Sequence, residues 1–158
     1  MSQEQSINMS DISNKESSNR YASAICEVIV NQEIIEKINS HSLPKGDIIA
    51  AAKLAGILAV KKTHELIPLC HAIPVSNAEI EIALPKNQED KSVIKIISVV
   101  ESFYKTGVEM EALAAVSIAG LTIYDMTKSI SHTVELKNIR LLEKRGGKSG
   151  DYTTETNL

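Results

Sequence analysis

The most constraining feature of this chain is ALAAVSIAGLTI, residues 112–123, a run without a single charged side chain. An element that is apolar all round has no face to show to water, so it belongs in the interior of a fold. The run sits inside a longer helical stretch, from about Val108 to Ile130, and is too short to cross a bilayer. Charges stand only at its ends. Glu109 and Glu111 fall in the first turns, where the helix dipole favours an anion, and Asp125 falls toward the far end, where it does not. Lys128 follows three positions later on the same face.

The remaining segments supply what could cover such a helix. YASAICEVIV (21–30) is rich in small and β-branched residues and reads as a strand. NQEIIEKINS (31–40) reads as a short helix with Asn31 as its N-cap. Pro44, Lys45 and Gly46 interrupt, and a second helix runs from about Asp47, its cap, to Lys62. From Val75, Ala78, Ile80, Ile82 and Leu84 alternate with Asn77, Glu79 and Glu81, a strand with one wet face. A polar turn at 85–91 leads into SVIKIISVVE (92–101), so the two strands should form a hairpin. A last strand covers about Val134 to Leu142. This order is that of an α+β, ferredoxin-like fold, an antiparallel sheet with helices packed on one face. The scaffold alone does not specify a function.

The chain has 158 residues, which fits one domain. Residues 1–18, rich in Ser, Asn, Gln and Glu, read as a mobile N-terminal tail, 19–147 as a single catalytic domain and 148–158 as a C-terminal tail. Cys26 and Cys70 make no CxxC pair, and no apolar signal core opens the sequence, so a cytoplasmic protein without a membrane anchor is expected. The main rival reading is an RNA-binding sheet. It needs a basic face and exposed aromatics, whereas the net charge is −3 and VIKIISVV holds no aromatic, so no nucleic-acid partner is expected. An inactive oligomeric scaffold is a second rival, against which stands the intact set of reactive groups described next.

Asp125 and Lys128 form either a simple surface pair or a carboxylate tuning an amine that moves protons. EKRGGKSG (143–150) fails as a Walker A motif, because its first glycine would fall at Leu142. It reads either as a flexible linker or as a glycine turn meeting phosphates through N–H groups and lysine charge. His71 is open to three readings: core histidine, proton carrier or metal ligand. His41, His64, His71 and His132 lack zinc-like spacing with the cysteines, so no metal site is expected. Cys70 by itself reads as a small buried residue.

KGD (45–47), LIPLCH (66–71), KTGVEMEAL (105–113), LTIYDM (121–126), Lys128 and GGKSG (146–150) together closely resemble, in order and spacing, the cyclic pyranopterin monophosphate synthase family, also called molybdenum cofactor biosynthesis protein C. The likeness covers roughly residues 9–151. It implies a nucleotide substrate, the 3′,8-cyclo-7,8-dihydro form of GTP, rearranged to cyclic pyranopterin monophosphate with loss of pyrophosphate. By the family pattern Leu69, Cys70, His71, Met110 and Glu111 line the substrate site. Asp125 matches the assigned active-site residue, and Lys45 and Lys128 match lysines implicated in catalysis. Arg20 matches an arginine expected near the phosphates, and Lys144 and Lys148 match C-terminal lysines of the same region. Ala72 departs from the pattern where many relatives have Pro, Gly120 and Thr127 replace more usual small or cysteine residues, and Arg145 adds a charge before the glycines.

The chemistry so implied requires a triphosphate clamp, proton shuttling and stabilisation of departing pyrophosphate. Lys128 beside Asp125 is the first candidate for general acid/base, Lys45 the second, with His71 donating to substrate or moving a proton. No redox cofactor is expected. Mg²⁺ would accompany the phosphates, as no carboxylate cluster demands a protein-held ion. Glu111 and Asp125 are fourteen positions apart on one helix, roughly 21 Å at 1.5 Å per residue. If both serve one ligand they come from different chains, which predicts active sites at a subunit interface of a homo-oligomer. The family likeness points to a hexamer built as a trimer of dimers.

Overall fold

The structure, a computed structural model, describes residues 6–85 and 93–154. Both helix caps expected from sequence form. The Asn31 side chain accepts from the Ile34 amide at 3.0 Å and opens α1 (Gln32–Asn39). The Asp47 carboxylate accepts from the Ala50 amide at 3.0 Å and opens α2 (Ile48–Leu66). These side-chain oxygens meet amides that the first helical turn leaves without partners. The apolar run lies within α3 (Glu109–Thr127).

Strands β1 (Ser18–Ile29), β2 (Val75–Ala83), β3 (Val93–Tyr104), β4 (Glu135–Arg145) and β5 (Tyr152–Thr153) form one sheet in the order β2-β3-β1-β4-β5, antiparallel at every pairing. The fold is α+β and ferredoxin-like, as the sequence predicts, and β2 and β3 pair as the expected hairpin neighbours. From residue 86 on, the polar turn expected at 85–91 lies outside the described residues. β1 starts at Ser18, ahead of the expected Tyr21, and β3 ends at Tyr104, beyond the expected Glu101, because the two pair with each other over their whole length, from Ser18↔Tyr104 to Ile29↔Val93. β5 was not expected at all. Its two residues lie in the segment read as a tail and pair with Glu143 and Lys144. Two residues carry too little pattern to be read as a strand.

Ala22, Ala24, Cys26 and Val28 of β1 and Ile94, Ile96 and Val100 of β3 point to one face, against fully buried Ala112, Ala115, Val116, Ala119 and Ile123 of α3. Small residues set the spacing of these layers. A Cβ at Gly120 would stand 2.9 Å from Leu136 Cδ2 and 3.2 Å from Cys26 Sγ, and one at Gly56 would stand 3.2 Å from the Ala115 carbonyl. Ser98 on β3 is a fully buried polar residue: its hydroxyl donates to the Ala112 carbonyl at 2.8 Å and ties the sheet to the first turns of α3. Burial pushes the Cys26 thiol up to about 11, with the neighbouring Glu27 charge adding to it. Cys26 is therefore a packing residue rather than a nucleophile.

Gly120→Val places a branched side chain where Leu136 and Cys26 already press. Overpacking of this kind should cost about 1–3 kcal/mol, read as a lower urea midpoint. An unchanged midpoint would mean that α3 can lift off β4 without loss.

Candidate active site

α2 and α3 run antiparallel. Lys45, just ahead of α2, meets Asp125 near the end of α3, while Cys70, beyond α2, feels the charge of Glu111 at the start of α3. The candidate residues therefore gather at opposite ends of α3.

At the C-terminal end, Asp125 Oδ2 accepts from Lys45 Nζ at 2.5 Å and Oδ1 accepts from Lys128 Nζ at 2.7 Å. Lys45 also donates to the Asp125 backbone carbonyl at 3.2 Å. Hydrogen bonds from Lys128 and Lys45 hold the Asp125 carboxyl down at about 2, and the bond to Asp125 raises the Lys128 ammonium above its ordinary range. The expected Asp125–Lys128 pair thus forms, and Lys45 joins it from eighty positions away. While Asp125 is ionised, Lys128 is held protonated, so it has a proton to give but is a weaker acid than a free lysine. Two ammonium groups around one carboxylate leave the cluster with a net positive charge. All three side chains are about half exposed, so a ligand can reach them.

The N-terminal end carries a cleft of about 800 Å³. Residues 14–18, Arg20, Lys105, Gly107, Glu109 and 144–149 line it. Arg20 donates through Nε to the Tyr104 carbonyl at 3.0 Å and through Nη2 to the Lys105 carbonyl at 3.2 Å. These bonds fasten the KTG turn to the start of β1. Gly146 and Gly147 have φ of +87° and +92°, and a Cβ at Gly147 would run into the Arg20 guanidinium. Two residues free of a side chain let the C-terminal loop fold over Arg20. Lys144 Nζ donates to Ser149 Oγ at 3.0 Å and pairs with Glu109 at 3.4 Å. Arg20, Lys144 and Lys148, expected together near phosphates, share this cleft.

Lys105 is a cleft residue that sequence reasoning missed. Its ammonium donates to the Ser13 carbonyl at 2.8 Å and draws the N-terminal segment against the site. The signal was present, since Lys105 opens the KTG motif, but nothing in the pattern says that its side chain faces Arg20's end of the sheet. The Asp11 carboxyl is lowered chiefly by hydrogen bonds from Ser13, with smaller contributions from the charges of Lys105 and His71. His71 is thus near enough to Asp11 for its charge to act there, and the ion pairs of Asp125 are with Lys45 and Lys128.

Glu111 is buried, 3% exposed, and desolvation pushes its carboxyl up to about 7, with the Glu109 charge adding to the shift. Burial also raises the Cys70 thiol, and the Glu111 charge adds to it, so Cys70 is poorly suited to act as a nucleophile. Leu69 and Met110 are partly exposed at this end, 47% and 38%. Among the described residues no three of His, Cys, Asp and Glu converge as a metal-binding set, and no helix is long and apolar enough to cross a membrane.

Glu111 makes stability depend on pH. Its unfolded carboxyl loses a proton near 4.5 and its folded one near 7. Between those values the folded chain holds a proton that the unfolded chain has lost. Stability from this group is thus highest below pH 4.5 and falls as pH rises through 7, by on the order of 3 kcal/mol in total. Urea titrations from pH 5 to 8 should show this decline, and Glu111→Gln should flatten it. A Gln variant with the same slope as the parent would place the proton elsewhere.

The MoaC family model matches residues 9–147. The chain is also similar to curated proteins, each named cyclic pyranopterin monophosphate synthase. It is 44% identical to the protein of Desulfitobacterium hafniense over 152 residues, 95% of this chain and 90% of the relative. It is 45% identical to that of Bacillus licheniformis over 147 residues, 93% and 87%. It is 43% identical to one from Staphylococcus epidermidis over 144 residues, 91% and 89%. With a family match over most of its length and near-complete alignment to these relatives, the chain belongs to the MoaC family.

Proposed function

We propose that the chain converts (8S)-3′,8-cyclo-7,8-dihydroguanosine 5′-triphosphate to cyclic pyranopterin monophosphate with release of pyrophosphate, a lyase step of molybdenum cofactor biosynthesis in the cytoplasm. The observation that carries this reading is the cationic cleft at the start of α3, where Arg20, Lys105, Lys144 and Lys148 converge under a glycine turn. Fixed charges and N–H donors in one hollow suit a triphosphate and the pyrophosphate that leaves it. The relatives' shared name gives the reading its substrate.

In this reading the base is opened and reclosed with proton transfers at the Lys128–Asp125–Lys45 cluster. A ribose hydroxyl then attacks the innermost phosphorus. A new P–O bond forms, the bond to the outer two phosphates breaks, and the electron pair leaves with pyrophosphate, which takes up the proton of the hydroxyl. Lys128, held protonated by Asp125, is the proton donor, and Lys45 is the second amine. His71 donates to the substrate from the cleft end. Leu69, Cys70 and Met110 flank the base. Glu111 accepts from the adjacent N–H donors of the guanine-derived ring. No electron is gained or lost overall, so no redox cofactor is needed, and Mg²⁺ enters as part of the substrate with its phosphates.

One ligand would need groups from both ends of α3, roughly 21 Å apart for Glu111 and Asp125. The reading therefore includes a homo-oligomer with sites shared between chains, a hexamer arranged as a trimer of dimers. Leu54 and Leu58, one turn apart on α2, and Leu121 on α3 are 60%, 47% and 53% exposed, apolar surface that a second copy would cover.

Incubation with the cyclised GTP derivative should release pyrophosphate, and Asp125→Ala should lower that rate by about 10²–10⁴-fold. Asp125→Ala chains mixed with Glu111→Ala chains should recover activity in a fraction of sites. Verified mixed oligomers without recovery would place the whole site within one chain. Because Glu111 is about half protonated near pH 7 and would bind N–H donors as a carboxylate, substrate binding at pH 6 should release a proton. Calorimetry in buffers of different ionisation enthalpy measures it, and equal heats in all buffers would remove Glu111 from base recognition.

A further inference from the structure

The cleft cations are not equally available to an anion. Arg20 and Lys105 donate to backbone carbonyls, which are neutral, and neither forms an ion pair with a described carboxylate lining the cleft. Arg145 pairs with Glu143, which does not line the cleft. Among the described residues only Lys144 is ion-paired to a carboxylate that itself lines the cleft, that of Glu109 at 3.4 Å. This pair is also drier than the Asp125 cluster, with side chains 24% and 31% exposed against about half there.

Three features keep the Glu109 carboxylate where it is. It belongs to the first residue of α3, whose N-terminus has no side-chain cap from Val108, so the free amides and the dipole favour a negative charge there. Lys144 attracts it. Gly107 leaves the space, since a Cβ at that position would collide with the Glu109 carboxylate. A negative charge is thus held beside Lys144 in a hollow that also carries Arg20, Lys105 and Lys148, with Glu16 as its second acid.

We propose that Glu109 is a release residue: a fixed carboxylate that competes with phosphate for Lys144 and so limits how tightly the cleft holds pyrophosphate after cleavage. The inference rests on the function proposed above. Like charges a few ångströms apart in a partly desolvated site repel appreciably. The substrate offsets this repulsion through contacts to its base and sugar. Pyrophosphate has no such contacts and bears the full effect. Glu109 then acts on product departure, a step that often sets turnover, and not on bond making. It is a positioning residue, not a catalytic one.

Calorimetric titration of the full-length protein with pyrophosphate tests this directly. Glu109→Gln should bind pyrophosphate about tenfold more tightly at low salt, with the gain shrinking as ionic strength rises. Glu109→Asp, which keeps the charge, should stay within about twofold of the parent. Gly107→Ala, which displaces the carboxylate without removing it, should give a smaller gain of the same sign. In turnover, Glu109→Gln should lower kcat and KM together and sharpen inhibition by added pyrophosphate. If the parent binds pyrophosphate through Lys144, shown by weakening in Lys144→Ala, yet neither Glu109→Gln nor Gly107→Ala binds it more tightly, the release role is wrong and the proposed reaction stands. If the parent shows no pyrophosphate binding that Lys144→Ala or Arg20→Ala weakens, the release role and the clamp both fall.

Discussion

Everything in this molecule is organised around the burial of α3. Its apolar length is covered by the sheet on one side and by α2 on another, and the contact is close because the meeting residues are small. Ala112, Ala115 and Ala119 lie fully buried, Gly120 admits Cys26 and Leu136, and Gly56 brings α2 against the Ala115 carbonyl. Tight interlayer packing of this sort leaves little room for adjustment. It fixes the helix ends, and the ends are where the reactive groups stand.

A buried helix with charged ends acts as a spacer. The C-terminal end gathers a carboxylate and two amines, and the N-terminal end gathers a cationic hollow with one buried acid. The two environments push their carboxyl groups apart: Asp125, between two ammonium groups, sits at about 2, whereas desolvated Glu111 sits at about 7. One acid is therefore a permanent anion and the other a group whose charge depends on what it meets. The same element thus supplies two kinds of acid, set by solvation and partners rather than by residue type.

Much of the fold was legible from the chain. The two caps, the hairpin, the buried helix and the succession of strands and helices along the chain follow from local chemistry and from periods of two and 3.6 residues, and these signals survive folding because they describe short-range geometry. Strand ends were less legible. β1 and β3 extend because each stabilises the other's last residues, and β5 exists only because Glu143 and Lys144 offer it a free edge. Pairing partners distant in sequence leave no mark on the local pattern.

The same division runs through the site. Sequence alone determined which reactive side chains the chain carries, and it determined the Asp125–Lys128 pair, since three residues of helix always bring such groups together. Through its motifs it also determined the family. Only the tertiary structure decided that Lys45 closes the Asp125 cluster, that Lys105 belongs with Arg20, and that Glu109 rather than solvent faces Lys144. Those are contacts between elements, and their geometry depends on how layers pack, a property of the whole chain that no single segment encodes.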